Sequence, residues 1–283
     1  MKLFLKWSKK IILYPFILII FILAIVFTIT NLLTKPSNDR DWNEDQQILP
    51  YSEIKDNKVA IHNIRNFTYA STTSFVKNYY DKTFDLDKIK NVWYVVEPFS
   101  GIPGSAHAFL SFEFEGDEFL SISIEIRKQK GQAYHPIKGL FNQYELMYVI
   151  ADEKDVIKLR SNYRKDLVYV YPAKTTKEKV QKLFLSMIER ANRLKENPEF
   201  YNTVLNTCTT NIAKHVNSIS PKRIPVFSLE ILFPENSDKL AYDLGLIDTN
   251  LPFEKARERY FINDRALKYA DSPDFSLKIR END

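Results

Sequence analysis

One segment near the N-terminus constrains this chain more than any other. From Ile11 to Leu33 it reads IILYPFILIIFILAIVFTITNLL, uncharged and almost wholly apolar. As a helix, a run of that length crosses roughly 30 Å of hydrocarbon. Pro15 lies near its start, where a missing amide costs least. Lys2, Lys6, Lys9 and Lys10 precede the run, against Lys35 and Arg40 just after it. That bias directs the N-terminus to the cytoplasm and everything after the run to the far side. The run exceeds the apolar core of a signal peptide and no small-x-small cleavage site follows it, so a retained anchor is expected rather than a cleaved leader. The expected location is a bacterial inner (cytoplasmic) membrane, single-pass, with a periplasmic C-terminal part.

The expected division is 1–34 for the cytoplasmic N-terminus and anchor, 35–58 for a linker opening on Pro36-Ser37-Asn38-Asp39-Arg40-Asp41, 59–265 for one extracytoplasmic domain, and 266–283 for a polar tail. With 45% hydrophobic and 14% aromatic residues the domain has material for a real core, and six glycines exclude a collagen-like or disordered chain. Basic and acidic residues number 40 and 36 and are mixed along the sequence. Such a balance supplies no concentrated basic face, so nucleic acid is not an expected partner. One cysteine and four histidines give no ligand spacing for zinc, and neither a metal nor another cofactor is expected. Asp152, Glu153 and Asp155, with Arg160 and Arg164, fit ion pairing at a capped helix start better than a metal cluster.

Strand-type runs appear at Val59–Ile61, Phe67–Tyr69, Val92–Val96, Ala108–Phe114, Phe119–Ile126, Glu145–Ile150 and Leu167–Tyr171. Helical periodicity runs from Thr176 to Leu194, with Thr175 and Glu178 as a capping box and Asn197-Pro198 as the stop. A second helix is predicted to start at the cysteine and a third to cover Phe253 to Arg259. Strands followed by helices, without regular alternation, make this an α+β domain: an antiparallel sheet packed on a cysteine-bearing helix.

Residues 107 to 127 read HAFLSFEFEGDEFLSISIEIR, two alternating runs about a Gly116-Asp117 turn. His107, Ser111 and Glu113 share one face with Ser121, Ser123, Glu125 and Arg127. A three-residue loop with paired numbers summing to 234 sets His107 across from Arg127 and diagonal to Glu125. A histidine at a strand start with a carboxylate in reach is how a general base is oriented. A solvated polar face bearing a surface histidine is the plainer alternative.

The only cysteine, Cys208, opens NTCTTNIAKHV. Asn206 and Thr207 are favoured N-caps, and Ile212, Val216 and Ile219 continue from Cys208 at helical spacing. Amides and partial positive charge at a helix start favour a thiolate and can bind an oxyanion. An unpaired thiol outside the cytosol is otherwise a liability, although a small packed side chain remains the alternative. Within one helix, His215 stands two turns away, beyond hydrogen-bond reach. His62 and His135 lie in loop-like or edge contexts. His107 is therefore the candidate base for Cys208, with Glu125 orienting it and Asn206, Thr209 and Arg127 in support.

The series HAFLSFEFEGDEFLSISIEIR, YELMYVIADEKDVIKLRSNYR, NPEFYNTVLNTCTTNIAKHVN and LAYDLGLID, with VAIHNIRNFTYAS upstream, resembles the periplasmic N-terminal domain of the Lnb-type lipoprotein N-acyltransferases over about residues 45 to 250. The resemblance implies a papain-like fold in permuted order and a catalytic pair falling on His107 and Cys208. Acyltransferases of that family carry further membrane-spanning segments after this domain, whereas no second apolar run follows here. The expected function is extracytoplasmic acyl transfer or hydrolysis through a Cys208 thioester, with a membrane lipid and/or lipoprotein as substrate. A cell-wall peptide amidase and a catalytically silent lipid- or protein-binding domain are the alternatives.

Overall fold

The structure, a computed structural model, describes residues 2–99, 101, 103–221 and 223–281, and the side chains of these except 2–12, 30 and 31. Lys2, Lys6, Lys9 and Lys10, which set the topology expectation, thus lie outside the described side chains. Helix α1 spans Lys2–Leu33 with Pro15 inside it. Residues 13–29 are exposed throughout, about 25 Å of helix. Among the described residues no helix is long and apolar enough to cross a membrane.

Among the described residues ten strands follow: β1 Tyr51–Lys55, β2 Lys58–Arg65, β3 Thr68–Tyr69, β4 Phe75–Val76, β5 Tyr79–Asp85, β6 Ile89–Pro98, β7 Ala106–Phe114, β8 Glu118–Arg127, β9 Glu145–Asp152 and β10 Tyr169–Pro172. β3 and β4 form a small separate pair; the rest form one sheet ordered β1-β2-β9-β8-β7-β6-β10, with β5 also on β2. Apart from the short parallel contact of β2 with β9, its pairings are antiparallel. This is the expected α+β class. β1 and β5 went unpredicted because sequences such as YYDKTFD lack the branched, alternating signature of a half-buried strand.

The helices after α1 are α2 Pro136–Leu140, α3 Glu153–Lys158, α4 Lys177–Glu196, α5 Cys208–Ile219, α6 Leu229–Leu232, α7 Ser237–Asp243, α8 Phe253–Tyr260, α9 Asn263–Lys268 and α10 Phe275–Lys278. A π-helical stretch, Leu159–Arg164, continues α3. The cap of α4 is Thr176, whose side chain accepts from Lys179, one residue on from the expected Thr175–Glu178 box.

Alternation along the central strands splits the core in two. Ala108, Leu110, Phe112, Phe114, Ile122 and Ile124 pack against α4 and α5. Phe109, Val95, Met147 and Val149 face the other way, onto Val156 and Ile157 of α3 with Ala266, Phe275 and Ile279. The sheet is therefore covered on both faces. That cover explains two further differences from expectation. The stretch 266–283, expected as a polar tail, buries Phe275 and Ile279 completely. The stretch 35–58, expected as a linker, contributes β1 and a buried Trp42, with the Arg127 guanidinium 4.2 Å above its ring.

Candidate active site

The capping chemistry of α5 places the thiol. Thr207 is the N-cap, and a reciprocal box links it to Thr210: the Thr207 amide donates to Thr210 Oγ1 at 2.7 Å, and the Thr210 amide donates to Thr207 Oγ1 at 3.2 Å. Cys208 is thus the first helical residue, at the end where unsatisfied amides concentrate. Burial pushes its thiol pKa up, while amide N–H groups of Ala108, Thr209 and Cys208 itself, directed at the sulfur, pull it down. The Ala108 amide belongs to the His107–Ala108 peptide, so the sulfur rests against the segment of β7 that carries the histidine.

His107 is the second residue of β7. Its ring stacks on Phe109, with centroids 5.9 Å apart, on the sheet face opposite α5. Nε2 lies 2.7 Å from Ser123 Oγ and 3.5 Å from Glu125 Oε1. Ser123 Oγ donates to Glu125 Oε1 at 2.8 Å, and Arg160 Nη2 donates to the same oxygen at 2.7 Å. Arg160 is fully buried and also stands with Nε 2.6 Å from Glu97, a fully buried carboxylate, in a contact too poorly aligned to count as a hydrogen bond.

These contacts fix the protonation pattern. Burial disfavours the Glu125 charge, but His107, Arg160 and Arg65 outweigh it and hold this carboxyl well below its ordinary range. An ionised carboxylate only accepts, so the single Ser123 proton goes to Glu125 and Ser123 Oγ accepts from His107 Nε2–H. Nδ1 is then the basic nitrogen. Burial, with Arg160 and Arg164, pushes the His107 pKa down to about 3 against the opposing pull of Glu125. The resting pair is a neutral imidazole and a neutral thiol.

The expected residues divide into two groups. His107 and Glu125 meet at the start of β7, and Cys208 lies against the His107–Ala108 peptide from the face that carries α5. The observed pairs sum to 232, as in Phe109 with Ser123, instead of 234, because the loop is Glu115-Gly116-Asp117. Continued past that last registered pair, the count sets Glu125 across from His107, in line with the 3.5 Å between Nε2 and Oε1, and Arg127 is displaced along the sheet. Arg127 donates to the Gln46 and Gln47 carbonyls and to Asn38, away from the thiol. Asn206 is turned aside too: its amide donates to Phe200 O at 2.9 Å, and its oxygen accepts from Asn211. Thr209 supplies its backbone amide to the sulfur, while its hydroxyl donates to Ile231 O at 2.8 Å and ties α5 to α6. Sequence reasoning missed Ser123, Arg160 and Glu97 as members of the cluster. Asp155 pairs with Arg65 and Glu153 with Arg280, both as buried structural pairs.

Cys208 lies in a cavity of about 220 Å³ whose walls include Phe99, Tyr134, Tyr201, Ile231 and Phe233. Tyr134 and Tyr201 hydrogen-bond to one another, and burial raises both phenol pKa values. Beyond the Thr209–Ile231 hydrogen bond lies an apolar cavity of about 120 Å³ under α5, bounded by Leu110, Ile212 and Leu240. Among the described residues no group of histidine, cysteine and carboxylate side chains could hold a metal ion.

The sequence pattern described as the Lnb N-terminal periplasmic domain matches residues 75–235, more than half of the chain, and covers both β7 and the start of α5. No curated protein and no solved structure matches it.

Proposed function

This chain belongs to the Lnb N-terminal periplasmic domain family, and on that premise we propose that it is an extracytoplasmic cysteine enzyme of acyl-transfer type. One observation carries the reading: a buried thiol at a capped helix start, set against the peptide of a histidine whose far nitrogen is already held by Ser123 and Glu125. The order of the chain, histidine strand before cysteine helix, is the one expected of a permuted papain-like domain.

In the proposed reaction, His107 Nδ1 meets the thiol around the start of β7 and takes its proton as the sulfur attacks an acyl ester carbonyl. The helix-start amides receive the developing oxyanion. Collapse breaks the ester C–O bond, the imidazolium returns its proton to the leaving alcohol, and the acyl group stays on Cys208 as a thioester. An amine then attacks the thioester, the imidazole takes the amine proton, and the thiolate is reprotonated as it leaves. The apolar walls around Cys208 suit a hydrocarbon acyl group, with a membrane lipid as donor and the N-terminal amine of a lipoprotein as acceptor. In this reading α1, continued through the apolar run Ile11 to Leu33, is a single-pass anchor that keeps the domain at its substrate.

The test is the full chain supplied with phospholipid and a diacylated lipoprotein, with muropeptides in a parallel arm. Acylation of the lipoprotein amine that disappears in both Cys208→Ser and His107→Ala supports the proposal. Full activity in either variant, or turnover of muropeptides alone, contradicts it.

A further inference from the structure

The mouth of the Cys208 cavity has two apolar lips that nothing among the described residues covers. On one side, α6 and the turn before it expose Phe227 and Leu229 at 69% and 70%, beside Phe233, which also lines the cavity. On the other side, α2 exposes Ile137, and the loop it packs against exposes Val204 and Leu205. Thr203 Oγ1 donates to Pro136 O at 2.7 Å, so these two segments form one ridge; Pro136 and Thr203 both reach the cavity wall. Scattered exposed apolar residues are ordinary, but two such lips flanking a single opening are not.

The neighbour of this surface is α1. The Phe27 ring meets Phe141, the residue that follows α2, edge to face with centroids 6.4 Å apart. Phe27 stands six residues, or about 9 Å, inside the C-terminal end of α1. The apolar side chains of residues 13–29 are exposed; with α1 read as an anchor, the medium around them is lipid, and Phe141 touches α1 within that level. Lys138 beside Ile137 and Arg223 ahead of Phe227 are exposed and placed for anionic headgroups.

From this continuity we propose that the rim of the Cys208 cavity is a bilayer-docking surface: Phe227 and Leu229 on one lip, and Ile137 with Leu205 on the other, enter the headgroup–acyl boundary so that the cavity opens directly onto lipid. The proposal rests on the reading of α1 as an anchor and is independent of turnover. Interfacial segments of this kind bury their apolar residues to a shallow depth while cations hold the headgroups. An acyl chain then passes from bilayer to thiol without crossing water.

The experiment places tryptophan in the full chain by Ile137→Trp, Phe227→Trp or Leu229→Trp, with Ile54→Trp on β1 as the distant control. Each is reconstituted in phosphatidylcholine–phosphatidylglycerol vesicles with or without bromine on the acyl chains, and the signal of the parent chain is subtracted. Bromolipid quenching of the lip tryptophans at least twice that of Ile54→Trp is expected, and equally in a Cys208→Ser background. That pattern without acyl transfer by the wild-type chain would remove the catalytic reading alone. Quenching no greater than the control overturns the docking proposal, as would lip tryptophans that escape quenching but become shielded as protein density rises, the sign of a second copy. In a companion variant, Phe227→Glu with Leu229→Glu, transfer from vesicle donor falls at least tenfold while iodoacetamide alkylation of Cys208 is unchanged. Unchanged transfer in that variant also counts against the proposal.

Discussion

Ser123 has one hydroxyl proton, and it donates that proton in a hydrogen bond to the Glu125 carboxylate. That local fact makes His107 Nε2 the protonated nitrogen and leaves the lone pair on Nδ1, the nitrogen proposed as the base. Ser123→Ala therefore removes the acceptor that fixes the tautomer without touching either member of the pair. We expect kcat to fall about tenfold or more with KM unchanged, and Ser123→Thr to recover most of it; equal loss in both variants would assign Ser123 a packing role only. Because burial drives His107 down to about 3, kcat/KM should stay flat from pH 8 to about pH 5. An acid limb near 6.5, the ordinary histidine value, would show that the imidazole is not held neutral in this way. The raised Cys208 pKa likewise makes alkylation by iodoacetamide slow at neutral pH and faster above its ordinary range. The thiol and the histidine were legible in the sequence because one opens a capped helix and the other opens an alternating strand. Ser123 was not, because alternation alone cannot tell a solvated polar face from one roofed by helices, and Ser111, Ser121 and Ser123 are all completely buried.

At the scale of elements, the β7–β8 hairpin and the π-helical stretch meet over Arg160. The hairpin was readable to within one pair: both 232 and 234 keep the apolar residues on one face, and only the loop conformation chooses between them. The partner of Arg160 was out of reach, because Glu97 comes from β6 and meets it only once the sheet is assembled. Arg160→Met would leave the buried Glu97 and the partly buried Glu125 short of a cation, and we expect a loss of about 3–5 kcal/mol in denaturant unfolding. Glu97 gives a second check. Burial, against the pull of Arg160 and Arg164, raises its pKa to about 7. In the folded state it retains a proton that the unfolded chain releases near its ordinary value, so its stabilising contribution is complete at low pH and is lost as pH rises through about 7. The stability of wild type relative to Glu97→Gln should thus decline between pH 4.5 and 7.5, by at most about 3 kcal/mol. A flat or rising difference would contradict the burial account.

Across the whole molecule, the apolar material is divided among two core layers and one long exposed helix. The α+β class and the helix at the cysteine followed from periodicity, whereas the second layer, which turns a polar sheet face into an interior, did not. Its apolar residues are few and separated by charges, as in PDFSLKIREND, where Phe275 and Ile279 are nonetheless fully buried. Phe275→Ala should destabilise the domain by about 3–5 kcal/mol in thermal or denaturant unfolding; no change would mean that 266–283 does not belong to the folded unit. This layer supports the face on which Ser123, Glu125 and Arg160 meet, so fold and proposed chemistry depend on the same packing. The central claim, that Cys208 carries an acyl group, is tested most directly by intact-mass spectrometry of the full chain quenched during turnover with phospholipid. The account predicts a mass increase of one acyl chain, located on Cys208, removed by neutral hydroxylamine and absent from Cys208→Ser. Turnover with Cys208 unmodified throughout, or an adduct that persists in Cys208→Ser, would contradict it.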